Sequence, residues 1–177
     1  MWRGFTDLFS GFYGYQTPTG LSYVATGEGP RFITCATVEP GLLDVLGARP
    51  VAGRLFVSDD GRASAPPVAL IAEELAREEF GSAQLALGKT VAIGNLSPTI
   101  VGVLPAAFRF PSGSERIWTP LDVAALAPNR SVSTVAIAAP GRSVEAVVGA
   151  VRDRGPAVIG HASPPWNTIK RETRARP

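Results

Sequence analysis

One cysteine and one histidine are present in 177 residues, and charged residues make up only 18% of the chain. A single cysteine excludes an intramolecular disulfide, so a fold of this length must rest on its own apolar core, which it is long enough to bury. Cys35 lies in the apolar run FITCATV at 32–38 and reads as a small buried hydrophobe. A reactive thiol would want a histidine or a helix N-terminus beside it, and neither is visible locally. Scarce cysteine fits a cytoplasmic and a periplasmic chain equally. The histidine, His161, stands next to a Ser-Pro-Pro run. One His and one Cys do not build a structural zinc site without carboxylates, and no metal-ligand spacing occurs. Nor does His161 offer a positioned base for a Ser–His–Asp triad. Asp59-Asp60 before Gly61 reads as a polar turn rather than a cation site.

Strong charge of either sign is missing from the body of the chain. Residues 152–177 carry six basic and two acidic groups, a net +4, and the remainder carries eleven against thirteen, a net −2. The basic pI therefore belongs to the C-terminal end, and the body has no basic stripe of the kind that binds nucleic acid. Residues 156–177 are expected to be a solvated, disordered tail. Also missing is any run near the roughly 18 apolar residues of a membrane span. The opening MWRGFTDLFSGF lacks the long apolar region of a signal peptide. As written, the chain is expected to be soluble.

What is present is a series of short apolar runs separated by turn signals. Phe5, Leu8, Phe9 and Phe12 have helical spacing, which predicts a short amphipathic helix over residues 4–13, with a turn over 14–20. LSYVATG and RFITCATV, separated by GEGP, predict an antiparallel hairpin. Pro40 and Gly47 bracket a short helix. SDDGRASAPP at 58–67 is a polar loop. PVALIA at 67–72 is an unbroken apolar run and predicts a buried strand. EELAREEFG at 73–81 predicts a helix with Leu75 and Phe80 inward and Glu73, Glu74, Glu78 and Glu79 around Arg77 as a solvated face. KTVAI and PTIVGVL predict an antiparallel hairpin of 90–93 with 99–104 around Gly94-Asn95, with Gly102 at a crowded or bent point. A strand is expected near Trp118 and another over 131–139. A helix from Ser143 should turn Val144, Val147, Val148 and Val151 to one side. With neither a repeating βαβ period nor an all-β pattern, the fold class is α+β with mixed sheets.

Other site candidates weaken on inspection. Gly88-Lys89-Thr90 matches the end of a phosphate-binding P-loop, but position 83 is Ala where the motif needs Gly. The expected order is also helix then strand, the reverse of what a phosphate cradle needs. Glu28 and Glu39 would have to be brought together to act as acid and base, and nothing local fixes their separation. Trp2, Trp118 and Trp166 are candidates for an aromatic binding face, although Trp118, between Ile117 and Thr119-Pro120, suits a core.

The order of the turn signals carries more information than any site. Val38-Glu39-Pro40-Gly41-Leu42-Leu43-Asp44-Val45-Leu46-Gly47-Ala48-Arg49-Pro50 is followed by Gly53-Arg54-Leu55-Phe56 and Asp59-Asp60. Phe80-Gly81, Leu87-Gly88, Val101-Gly102-Val103-Leu104-Pro105, Trp118-Thr119-Pro120-Leu121 and Pro140-Gly141 come next. This series resembles the MacB-like periplasmic core domain of bacterial ABC-transporter permeases, over about residues 5–151. It departs from the family pattern at Glu39 and Leu43, where serine and an aromatic are usual, and at Ala138-Ala139, where Arg-Leu is usual.

The resemblance implies a two-lobed domain over residues 1–155. A porter-like lobe would come from about 1–50 and 121–155, and an inserted lobe from about 51–120. It implies a non-catalytic domain at the periplasmic face of the inner membrane, in a permease that dimerises. Its partners would be the permease transmembrane region, an ATPase subunit and an adaptor protein, with no cofactor and no nucleic acid. Gly47, Pro50, Gly53, Arg54, Phe80, Gly81, Gly88, Gly102, Pro105, Trp118, Pro120 and Gly141 would be its structural motif residues. Since the family's transmembrane helices are missing, the chain is expected to be a fragment or a broken reading frame, with an unpaired sheet edge near 21–26 and 31–38. The alternative is a small-molecule binding module or hydrolase built on the Pro/Gly-rich loops. The absent phosphate cradle gives a direct test: titration calorimetry of the purified chain with Mg-ATP should give no binding heat, and micromolar binding would restore the P-loop.

Overall fold

A computed structural model describes residues 7–17, 22–26, 29–126 and 132–159. The strands are β1 (Phe9–Gln16), β2 (Ser22–Thr26), β3 (Gly29–Ile33), β4 (Cys35–Val38), β5 (Ala52–Gly53), β6 (Val68–Ala72), β7 (Ala92–Ile93), β8 (Thr99–Leu104), β9 (Ile117–Pro120) and β10 (Ser133–Ala138). The helices are α1 (Leu42–Val45), α2 (Glu73–Phe80), α3 (Ala83–Ala86) and α4 (Val144–Ile159). Seven strands form a mixed sheet in the order β10-β1-β4-β9-β6-β8-β5, and three form a second sheet in the order β3-β2-β7. The described residues divide into two compact units, those within 12–135 and those within 7–11 and 136–159.

In the larger unit, β6 explains the layering. All five of its residues are buried, as expected of a strand covered on both faces. Val68, Leu70 and Ala72 enter one apolar cluster, and Ala69 and Ile71 enter another. The first cluster is closed by Leu42 and Leu43 of α1 and by Phe56, Phe108, Phe110 and Trp118. The second is closed by Leu75 and Ala76 of α2, Ala86 of α3, Ile33 and Val91.

β6 runs parallel to β8, and the register slips once: Ala69 faces Ile100, whereas Leu70 faces Gly102. The extra residue, Val101, is a bulge that reverses the alternation of β8. Ile100 and Val103 therefore both reach the second cluster, although three residues apart, and Leu104 reaches the first. Gly102 faces Leu70 at the bulge and pairs with Gly53 of β5. A Cβ on Gly102 would fall on the Arg54 carbonyl oxygen and within 2.8 Å of Leu70 Cδ2. The expectation of a crowded, bent strand at Gly102 agrees with this geometry.

In the smaller unit, Leu8 and Val147 are buried together, with Phe9, Ala138, Ala150 and Val151 packed against them. Ala139 N–H donates to Leu8 O at 2.9 Å. Ser143 Oγ accepts from Ala146 N–H at 3.2 Å at the start of α4, an N-terminal cap of the usual kind. Val144, expected inward, is 48% exposed, and Val147 alone of the named valines is fully buried.

Several expectations fail for identifiable reasons. Residues 9–13 are strand, not helix, because Tyr13 and Tyr15 pack on the first cluster and β1 pairs antiparallel with β4. The same strand takes Gly14, where a turn was expected. The hairpin of β2 with β3 is present, but RFITCATV is not one strand. It breaks at Thr34, and β4 joins the other sheet. Of the segments expected to leave an open edge, only β3 is an edge strand, since β2 lies between β3 and β7, and β4 between β1 and β9. The hairpin of 90–93 with 99–104 is present in part: Thr90 bridges Thr99 and Ile93 bridges Leu96 in one antiparallel register, with Val91 N–H donating to Pro98 O at 3.1 Å and Ile100 N–H to Lys89 O at 2.8 Å, while β7 also pairs with β2 and β8 with β6. The Gly94-Asn95 turn does form, closed by Ile93 and Leu96. α3 was not foreseen, and α4 continues through Pro156 to Ile159. Glu28, His161, Trp2 and Trp166 lie outside the described residues.

Filling the space at the bulge should be costly. Gly102→Ala is expected to lower unfolding free energy by about 1–3 kcal/mol, the usual range for overpacking, read by urea denaturation. A change within about 0.5 kcal/mol, typical of an unconstrained surface position, would mean the bulge yields freely.

Candidate functional site

The motif residues converge on backbone geometry rather than on a reacting centre. Gly53 has φ +73°, and a Cβ there would strike Val101 O and come within 2.7 Å of Leu87 Cδ2. Only glycine combines that conformation with so close an approach. Gly47 and Gly81 follow α1 and α2, Gly88 follows α3, and Gly141 precedes α4, all at positive φ. Pro50 leads into Val51, whose N–H donates to Val103 O at 2.8 Å. Phe80 packs against the second cluster. Pro105 O accepts from Phe108 N–H at 2.9 Å in the turn after β8. Pro120 lies across from Val38 in the parallel pair of β4 and β9.

Trp118 is 1% exposed and is core, not binding face. Its Nε1–H donates to Phe110 O at 2.9 Å, and its ring meets Phe108 edge-on at 5.8 Å. A buried indole keeps its polar tip satisfied in this way.

Arg54 and Asp60 form a two-pronged pair, with Nη1 donating to Oδ2 at 2.6 Å and Nη2 to Oδ1 at 3.1 Å. Asp60 Oδ2 also accepts from Val57 N–H at 2.8 Å. Arg54 Nη1 donates to Leu55 O at 3.0 Å. The Arg54 hydrogen bond holds the Asp60 carboxyl below its ordinary value, against the opposing effect of burial. Arg54 is raised in return, chiefly by the same bond. Asp59 instead pairs with Arg62 at 3.1 Å. The Asp59-Asp60 turn is thus a loop lock, and among the described residues no group of three or more His, Cys, Asp or Glu could hold a metal ion.

The other carboxylates are engaged in similar work. Glu39 accepts from Gly14 N–H at 2.7 Å. Glu115, 5% exposed, accepts from the Ser112 and Gly113 amides and from Ser112 Oγ. The Ser-x-x-Glu spacing that marks such a local loop was available in the sequence. Asp122 accepts from the Ala63, Ala124 and Ala125 amides. The glutamates of α2 do not simply face water: Glu73 holds Arg77 and Ala106 N–H, and Glu78 and Glu79 hold Arg31. Glu78 Oε1 also forms an ion pair with Arg116 Nη2 at 2.9 Å. Arg116 is the main cause of the lowered Glu78 carboxyl. This cluster was missed because its members are far apart in sequence.

The Arg54–Asp60 pair predicts a measurable coupling. A double-mutant cycle with Arg54→Met and Asp60→Asn should give about 1 kcal/mol, at the upper end for an accessible pair because the geometry is bidentate. Asp60 has its folded value lowered, so its contribution is present above the unfolded aspartate range. It should fade as pH falls through that range toward the folded value. A cycle energy near zero at neutral pH, or one that grows on acidification, would contradict this arrangement.

Comparison with known proteins agrees with the geometry. The periplasmic region of MacB from Actinobacillus actinomycetemcomitans superposes with a TM-score of 0.66 at 16% identity, covering 87% of this chain and 69% of that one. The extracellular domain of the noncanonic ABC-type transporter YknZ from Gram-positive bacteria gives 0.59 at 16% identity, covering 83% and 77%. At such identity these two establish the fold: an α+β domain with a mixed seven-stranded sheet and short helices. No curated protein matches the sequence. Among the described residues no helix is long and apolar enough to cross a membrane. The family model of the MacB-like periplasmic core domain matches residues 10–154, and the chain belongs to that family.

Proposed function

We propose that this chain is the periplasmic module of a MacB-type ABC-transporter permease and that it works mechanically. In this reading it carries the conformational change driven by the ATPase subunit to adaptor or substrate proteins during export, and performs no chemistry itself. The observation that carries the proposal is the family match across residues 10–154. The structure of the site supports it: Asp60, Glu39, Glu115 and Asp122 are all engaged in holding backbone or arginine. A small-molecule site would instead ask such groups to converge on a cleft.

The proposed lobes are a porter-like one from about 1–50 and 121–155, and an inserted one from about 51–120. They would be joined through the parallel pairing of β4 with β9 and the antiparallel pairing of β2 with β7. The intact permease would place the domain at the periplasmic face of the inner membrane, work as a homodimer and bind no cofactor through this domain.

The coding sequence on either side tests the placement. In-frame segments of roughly 20 apolar residues are expected before and after the domain. Flanks encoding neither, with the chain expressed and retained in the cytoplasm, would overturn it.

A further inference from the structure

The chain passes between the two sheets more than once, and the shortest passage is a single residue. β3 ends at Ile33 and β4 begins at Cys35, so Thr34 alone separates an edge strand of the small sheet from an inner strand of the large one. On its β7 side the small sheet is tied to the β8 segment, with Val91 N–H donating to Pro98 O at 3.1 Å and Ile100 N–H to Lys89 O at 2.8 Å; on its β3 side it is held on α2 in two ways. Ile33, 4% exposed, packs with Leu75 and Ala76, and Ile93 lies against the same cluster. At the rim, Arg31 Nη1 donates to Glu78 Oε2 at 3.4 Å and to Glu79 Oε1 at 3.3 Å.

Glu78 is shared. Its other oxygen faces Arg116 Nη2 at 2.9 Å. Arg116 precedes β9, its N–H donates to Thr34 O at 3.0 Å, and its carbonyl accepts from Ala72 N–H at 2.8 Å. The join at Thr34, the start of α2 and the entry to β9 therefore meet in one place. Glu78 there is shared between Arg31 on the small sheet and Arg116 at the entry to β9, and Glu79 adds to the hold on Arg31.

We propose that this cluster is an ionic clasp. Arg31 fixes the docked position of the edge strand β3 on α2, and weakening the clasp lets the β2–β3 hairpin lift about Thr34 while β7 and the seven-stranded sheet keep their places. The argument is one of relative strength. The Arg31 side chain is 40% exposed, and its contacts lie at the long end of hydrogen-bond range, so charge holds them more than bond geometry does. Accessible ion pairs are modest in strength and screened by salt. The Ile33 contact is apolar and is not screened. The clasp is thus the adjustable part of the docking. This inference goes beyond the transport reading and does not depend on it.

Cys35 is a built-in reporter. It is 5% exposed, adjoins Thr34, donates to Ile33 O at 3.7 Å and is covered by the same cluster as Ile33. The test is the rate at which an aromatic disulfide reagent labels this thiol in the whole chain. Hydrogen exchange of β6 and β8 is followed in parallel. Arg31→Met, which keeps the apolar stem, and Glu78→Gln are each expected to raise the labelling rate about threefold to tenfold, with β6 and β8 exchange unchanged. Raising salt from about 0.05 M to about 0.5 M, which shortens the screening length, should speed labelling of the wild-type chain and leave Arg31→Met unaffected. Unchanged labelling in both variants would overturn the proposal. So would labelling that rises only in step with β6 and β8 exchange, or a variant that has lost its fold, since each reports global rather than local opening.

Discussion

Parallel pairing of β6 with β8 puts five consecutive buried residues against a strand that can match them only by slipping register. Without the bulge at Val101, the alternation of β8 would continue unbroken, and Val103 and Leu104 would exchange faces. Val103 would then leave the cluster under α2, and Leu104 the cluster with Trp118. The bulge needs Gly102, because β5 crosses there with the Arg54 carbonyl where a side chain would stand. β5 in turn needs Gly53 to approach Val101. Two glycines facing each other across β5 and β8 therefore determine how both cores are filled, and the loop locked by Arg54 and Asp60 starts from that point.

The polar groups follow the same logic. A buried or half-buried carboxylate is costly unless it is paired or hydrogen-bonded, and here the partners are loop amides and guanidinium groups. Glu115 gathers its own loop, Asp122 ties the 63 region to the chain after β9, and Glu39 ties the end of β4 to β1. These contacts fix loops relative to strands. In the mechanical role proposed above such rigidity would be useful, because a module with loose loops would absorb the motion instead.

How much of this was legible in the sequence depends on the range of the interaction. β6, α2 with its Gly81 stop, the early strand pair and the core position of Trp118 follow from local pattern, and the structure has them all. The N-terminal segment did not follow, because Phe5, Leu8, Phe9 and Phe12 mimic a helical stripe while Tyr13 and Tyr15 keep a strand's alternation. Pairing with β4 decides between them. The expected hairpin of 90–93 with 99–104 is present only in part. Its turn at Gly94-Asn95 forms, but the arms go to different sheets because β6 offers β8 a longer and wholly buried partner. The break at Thr34 leaves no local mark at all, since FITCATV is uniformly β-forming on both sides of it. Among charged groups, the Asp59-Asp60 turn was visible but its partner Arg54 was not assigned to it. The cluster of Arg31, Glu78, Glu79 and Arg116 joins residues up to 85 positions apart in the chain, beyond the reach of any spacing argument.

The same distinction explains why family membership was readable when the pairing was not. The motif residues mark places where the backbone must turn, approach closely or pass a crowded point, and such needs are met by few residue types. Gly53 and Gly102 admit almost no substitute, whereas Ile100, Val103 or Leu75 tolerate apolar exchanges of similar volume. Sequence identity to the MacB and YknZ domains is 16% in each case, yet the fold is kept. An ordered series of turns and close approaches encodes the path of the chain rather than the identity of its core.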